Sequence, residues 1–189
     1  TYGFTSRDIG PGNCLIDSWV RKNSKYKFDE DGILASTGKR NDIIFEQAQE
    51  LFANRPNQNT LSFDVNDFDV SFARGLSLED GTTTLTDFTA SVIGSALFSL
   101  LSNSSNKLWK VLVCGGGRKN KFLIEKIKKN TLKNIIIQSI DDFGIDGDFV
   151  ESQAFAFLAI RSILKLPISF PETTGCNQPS TGGEIVKFI

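Results

Sequence analysis

Three short runs in this chain hold residue types that can do chemistry. Residues 8–13 read Asp8, Ile9, Gly10, Pro11, Gly12, Asn13, a carboxylate set in a glycine turn. Glycines after a strand let the backbone approach a phosphate, and amides at a helix start favour an anion. An aspartate beside such a loop can act as a base or orient Mg²⁺. The same residues also read as an Asx turn followed by an Asn N-cap, and spacing alone gives that structural reading the edge. The second run is Cys114, Gly115, Gly116, Gly117, Arg118. Three glycines closing an apolar strand exceed what a simple turn needs. They suit close approach of a nucleotide to the backbone, yet match neither the Walker pattern nor the dinucleotide fingerprint. The third is Asp148, Phe149, Val150, Glu151. It reads first as a capping box, with Asp148 as N-cap. Its functional alternative makes Glu151 a buried acceptor for a sugar hydroxyl or amide.

Composition narrows the chemistry. The chain has no histidine, so His-containing metal sites and Ser–His or Cys–His pairs cannot form within it. Acid–base work falls to carboxylates, lysines or tyrosines. Cys14, Cys114 and Cys176 are far apart and show no zinc spacing, so no metal site is assigned. They read as reduced thiols of a cytoplasmic protein. Lys plus Arg number 21 against 22 Asp plus Glu, with no basic stripe, which argues against a nucleic-acid partner. The basic cluster at 118–129 alternates with apolar residues and reads as the solvated face of a helix. No apolar run reaches the roughly 18 residues of a membrane span. The start, Thr1-Tyr2-Gly3-Phe4, is not a signal peptide and lacks an initiator methionine, so a fragment of a longer protein is expected.

The elements that must position these runs follow from periodicity. Residues 2–6 read as the tail of a strand. Leu15, Ile16, Trp19 and Val20 then recur at helical spacing, with Asn13 as N-cap. A loop holding Asp31-Gly32 leads to a helix at 42–53. Residues 57–78 are irregular, with Phe63, Phe68 and Phe72 as anchors. A long helix is predicted over 79–102, with one stripe of Leu85, Phe88, Val92 and Ala96, and with Gly94 and Ala96 permitting close packing. A buried strand at 108–114, a helix at 119–129 and a strand at 135–138 come next. The helix at 149–165 is apolar nearly all round and is expected to be buried, with Pro167 and Pro171 ending it. A short strand at 185–189 closes the chain. Strands alternating with helices define an α/β sheet covered by helices. In such sheets the loops beyond the strand ends bind ligands, so the runs at 10–12, 115–117 and 141–148 are expected to converge on one cleft.

In order, these segments resemble the second half of the anhydro-N-acetylmuramic acid kinases. The matching runs are Asp8 to Asp17, Leu76 to Gly81 with Thr84 to Ala90, and Val113 to Asn120. Gly147-Asp148 with Glu151, Ala154 to Ala156, Leu158-Ala159, and Pro171 with Thr174-Gly175 continue the match in the same order. The resemblance implies an actin/hexokinase-like (ribonuclease H-like) ATPase lobe with a mixed sheet flanked by helices. Residues 1–189 would be a single domain, the C-terminal lobe of a two-lobed sugar kinase. It implies ATP and Mg²⁺, and a reaction in which water opens the 1,6-anhydro ring while O6 is phosphorylated, part of cell-wall sugar recycling. Asp8 would be the base that deprotonates the attacking water. Gly10, Gly12, Asn13, Gly115, Gly116 and Gly117 would line the nucleotide and phosphate site, and Glu151 would help hold the sugar. A homodimer is implied, with the helix at 79–102 as a candidate contact. Three departures stand out: Ile9 replaces the family's threonine, Val65 stands where relatives often carry arginine, and the first lobe with its phosphate loop is missing. One lobe alone is expected to have little kinase activity. The alternative is a non-catalytic ligand-binding or assembly module that keeps the fold without turnover.

Overall fold

Leu15, Ile16, Trp19 and Val20 do share one buried face, on α1 (Cys14–Asn23). The computed structural model describes residues 4, 6–54, 68–101, 107–184 and 186. After α1 come α2 (Ile33–Thr37), α3 (Asp42–Ala53), α4 (Leu78–Leu101), β1 (Trp109–Val113), α5 (Lys121–Lys129), β2 (Ile135–Ser139), α6 (Val150–Ile163) and α7 (Pro171–Thr174). They fall into two compact units, Asp8–Gly147 and the pair Thr1–Arg7 with Asp148–Ile189.

In the larger unit α4 is the hub, touched by α1, α2, α3 and α5. The expected single apolar stripe is corrected here, because every residue from 81 to 92 is buried, whichever way it faces. That includes Thr82, Thr83, Thr84, Thr86 and Thr89. Buried hydroxyls need partners, and most of these find them one turn back along the same helix. Thr82 donates to Leu78 O at 2.6 Å, Thr84 to Asp80 O at 2.7 Å and Thr86 to Thr82 O at 2.8 Å. The Thr83 hydroxyl lies 2.7 Å from Ala35 O of α2. Asn41, which caps α3 through a 3.1 Å bond from Ile44 N, donates its own N–H to Thr84 Oγ1 at 3.0 Å. On the α5 side, Asp87 and Lys126 pair at 2.8 Å with the carboxylate nearly enclosed. By length and composition α4 would also cross a membrane, with a mean hydropathy of 1.4 over 18 residues, but 56% of that window lies inside the protein. The burial of 81–92 also leaves only its last turns, at Ser95, Phe98 and Leu100, exposed for a contact between copies.

The strands β1 and β2 pair in parallel from Trp109↔Ile135 to Val113↔Ser139, joined by the crossover helix α5. Among the described residues the sheet is therefore parallel, not mixed. Nor is β1 fully buried. Trp109, Val111 and Val113 face the core while Leu112 is exposed, so one face of the pair lacks the cover that a buried strand needs. Helix α2 was not foreseen, since five residues hold a helix only with outside help. That help is Asp29, whose carboxylate accepts from Leu34 N at 2.8 Å and Ala35 N at 3.0 Å. Phe68 and Phe72 are anchors as expected, packed near Phe52 and Phe88. Phe63 and Val65 lie outside the described residues.

In the smaller unit, α6 overturns the expected burial. Phe155, Phe157, Ile160 and Ile163 are each more than half exposed, because a unit with one long helix is too small to enclose it on all sides. Asp148 is not its N-cap. Phe149, in an αR conformation, holds that position and makes no side-chain cap, so the capping box does not form. The helix ends at Ile163, before either proline, and Pro171 instead starts α7. Phe4 and Ser6 lie in no strand; Ser6 N donates to Glu172 O at 3.2 Å and the Phe4 ring packs on Phe170. Of the expected last strand only Val186 is described, outside any strand.

Helix α1 is seated on α4 by Trp19. Its Nε1 donates to Leu78 O at 3.0 Å, and its ring lies so close to Gly81 that a Cβ there would sit 2.3 Å from it. Gly81→Ala should therefore destabilise the chain by about 1–3 kcal/mol, as overpacked cores do. A urea denaturation midpoint lowered with unchanged slope is the expected result.

Candidate active site

Helix α1 carries the first glycine loop at its N-terminal end, and the loop is held from below. Gly10 rests on α4, where a Cβ would come within 2.8 Å of Val92 Cγ1. Pro11 is buried, and its carbonyl accepts from Cys14 N at 3.0 Å. Gly12 has φ +53° and, among the described residues, nothing within 4 Å of where its Cβ would be. Asp8 is exposed at the start of the loop. Asn13 occupies the N-cap position of α1 with αR dihedrals, but its side chain does not cap, which corrects the expected role. Its Oδ1 is buried without a hydrogen-bond partner among the described residues.

The second glycine loop follows β1 and meets the first through Asn13. A Cβ on Gly117 would lie 3.8 Å from Asn13 Cγ and Oδ1. Gly115 and Gly116 have open space over their Cα atoms, and Gly115 takes φ +74°, a conformation that favours glycine. The backbone of Gly115 is already engaged. Its N–H donates to Gly147 O at 3.0 Å, and its carbonyl accepts from Arg118 Nη1 at 3.0 Å. The loops after β1 and β2 are thus bonded together, and Asn13 lies against Gly117. Glu151 lies in the first turn of α6, in the smaller unit, and is exposed rather than buried. Among the described residues no three Asp, Glu or Cys gather as a metal site.

Asp17 on α1 and its neighbour Asp29 are unusually placed carboxylates. Asp17, one turn after Asn13, donates its backbone N–H to Asn13 O at 2.9 Å, while its Oδ1 is buried without a partner among the described residues. Burial pushes its carboxyl above the ordinary range; the nearby Arg21 opposes this and Asp29 adds to it. Burial likewise raises Asp29, against the two amides that bond it. Sequence reading did not single out Asp17, although its i+4 spacing from Asn13 was the available signal. It named the acidic run at 141–148 but not the pairing of Asp141 with Arg118, a partner distant in sequence.

This geometry defines an α/β protein in which a glycine loop at the end of one of two parallel strands lies against a second glycine loop at the start of a helix. A family model described as anhydro-N-acetylmuramic acid kinase matches residues 2–187, and the chain belongs to that family. An anhydro-N-acetylmuramic acid kinase of Pelagibacter ubique is 52% identical over 182 residues, covering 96% of this chain and 48% of that protein. Kinases of the same name from Zymomonas mobilis and Rhodospirillum rubrum are 39% and 38% identical, over 94% and 93% of this chain and 47% and 45% of their own lengths. The chain spans about half the length of the curated relatives it matches.

The raised carboxyl of Asp17 has a stability consequence. With its folded pKa above the unfolded value of about 3.9, the native state binds more protons in between, so this group's contribution falls as pH rises through that window. Asp17→Asn should therefore raise the melting temperature at pH 7. The gain should shrink as pH is lowered toward about 4, read from thermal melts across pH.

Proposed function

We propose that this chain is the C-terminal lobe, in an actin/hexokinase-like fold, of a cytoplasmic kinase acting on 1,6-anhydro-N-acetylmuramic acid. The observation that carries the reading is the meeting of Asn13 with Gly117, which joins the two glycine loops beside open space over Gly12, Gly115 and Gly116. Loops whose Cα atoms face open space suit close approach by the phosphates of ATP. Gly10 contributes by seating its loop on α4, and Gly115 by its open Cα face, since its own polar groups are already bonded.

The residues present suit Mg²⁺ that arrives with ATP. That ion is held mainly by phosphate and water, and Asp8, the exposed carboxylate of the loop, would orient it through one of its waters rather than ligate it, which leaves Asp8 able to take a proton. When bound, it supplies charge neutralisation at the transferring phosphoryl group. In the reaction, water adds to the anomeric carbon as the bond from that carbon to O6 breaks. O6 takes the terminal phosphoryl group of ATP, ADP leaves, and Asp8 accepts the proton of the water. A carboxylate suits this role because it is ionised at neutral pH. Glu151 would accept hydrogen bonds from the sugar. The product, N-acetylmuramic acid 6-phosphate, places the enzyme in cell-wall sugar recycling. The first lobe completes the cleft, and its surface is the cover we assign to the apolar face of α6. Pairing of two copies through the exposed last turns of α4 belongs to the same proposal.

In the complete two-lobed protein, Asp8→Asn should lower ATP-dependent phosphorylation of the anhydro sugar by at least about 100-fold, the lower range for a lost general base. Product formation is read by chromatography. Activity near that of the unsubstituted protein would remove Asp8 from this role, and binding of both substrates without turnover in the unsubstituted protein would favour a non-catalytic module.

A further inference from the structure

Arg118 presents a charged group that the reaction above does not use, yet its side chain is only 7% exposed. Its Nε and Nη2 reach the two oxygens of Asp141 at 2.5 and 3.0 Å, the bidentate fork that arginine makes with a carboxylate. The Asp146 carboxylate lies 3.8 Å from Nη2. The remaining arm, Nη1, holds the carbonyl of Gly115 at 3.0 Å. Asp141 is itself fixed, accepting from Ser139 Oγ at 2.6 Å and from Gly147 N at 3.0 Å. Gly147 closes the ring by accepting from Gly115 N, and it must be glycine because a Cβ would fall 2.4 Å from Arg118 Nε.

We infer that Arg118 is a positioning residue, which with Asp141 clamps the loop after β1 to the loop after β2 and so holds the nucleotide-facing shape of Gly115, Gly116 and Gly117. The inference rests on the reading of those glycines as the ATP wall. A loop of three glycines pays a large entropic cost to hold one shape, and two of the three have nothing packed against their Cα atoms. Its order must come from bonds at its ends, and Arg118 supplies one of them from the residue that follows. The carboxyl of Asp141 is held well below the ordinary range, first by the bonds from Arg118 and then by those from Gly147 and Ser139, so the clamp stays charged throughout the neutral range. Lysine cannot replace arginine here, because a single ammonium cannot span both carboxylate oxygens and the Gly115 carbonyl in one plane.

The test compares Arg118→Lys, Asp141→Asn and the double variant in the complete kinase, with Lys121→Ala, which removes an exposed pair with Asp31, as control. MgATP affinity is measured by calorimetry, the KM of each substrate and kcat by assay, and amide exchange across residues 115–119 by mass spectrometry. Each single variant should weaken MgATP about tenfold. The KM for the sugar should stay unchanged, exchange should speed up in this segment alone, and the double variant should be no worse than either single one. The control should match the unsubstituted protein in every measurement. Unchanged MgATP affinity in the variants, with the unsubstituted protein binding it, overturns the inference. So does exchange that rises equally across the whole chain, which marks a merely structural role. If the unsubstituted protein does not bind MgATP, the nucleotide reading fails, and the exchange data still decide whether the clamp orders the loop.

Discussion

A helix surrounded on every side sets the terms for the rest of this molecule. From residue 81 to residue 92, α4 has no solvent face, and such a helix would normally be apolar throughout. This one carries five threonines, an aspartate and a serine in that span. The threonines cost little because several of their hydroxyls bond the carbonyls of the preceding turn, leaving a methyl group outward for packing. The aspartate is tolerated because Lys126 meets it. A buried pair of this kind adds little net stability against apolar residues of the same size, while the loss of one partner is costly. It ties α5 to one place on α4, and with α5 the crossover between β1 and β2.

The same helix determines where the first glycine loop lies. Trp19 and Gly81 seat α1, and Val92 receives Gly10 about three turns further along α4. Two points on one rigid element therefore fix the loop that begins at Asp8. The second loop is fixed independently, by the pairing of β1 with β2 and by the ring of bonds through Arg118, Asp141 and Gly147. Asn13 and Gly117 meet where these two lines of support cross. A site assembled in this way depends on packing along one route and on charge-assisted bonds along the other.

Much of this architecture is legible in the sequence, where local pattern and tertiary environment agree. The helix at 42–53, the two strands and the crossover helix lie within a residue or two of their expected bounds, because each has a clear period and a polar boundary such as Asn41 or Asn120. The misses share a cause, which is dependence on residues far away in the chain or on cover that composition does not reveal. Helix α2 exists through Asp29, whose carboxylate reaches forward five and six residues to Leu34 and Ala35. The apolar circumference of α6 shows that it can be buried, not that something lies over it. Asn13 has the residue type of a cap and the position of one, yet its dihedrals are αR and its side chain makes no cap bond. For the site, the approach of the runs at 10–12 and 115–117 is expected from the sequence, whereas the particular meeting of Asn13 with Gly117 is a product of the fold alone.

The glycines make the same distinction within a single motif. Gly10 and Gly147 are glycine because neighbouring side chains occupy the space of a Cβ, whereas Gly12, Gly115 and Gly116 have open space there. Read as letters, all five belong to glycine-rich loops and look alike. Read by surroundings, the first pair serves the framework and the remaining three have nothing packed at the Cβ position among the described residues. Conformation adds a separate demand on Gly12 and Gly115, whose positive φ angles would strain any other residue even in open space. A side chain at Gly116 meets neither obstacle, neither a packed neighbour nor a positive φ. Its requirement for glycine, if the loop faces phosphate, comes from the ligand alone, which makes it the position where folding and function separate most cleanly.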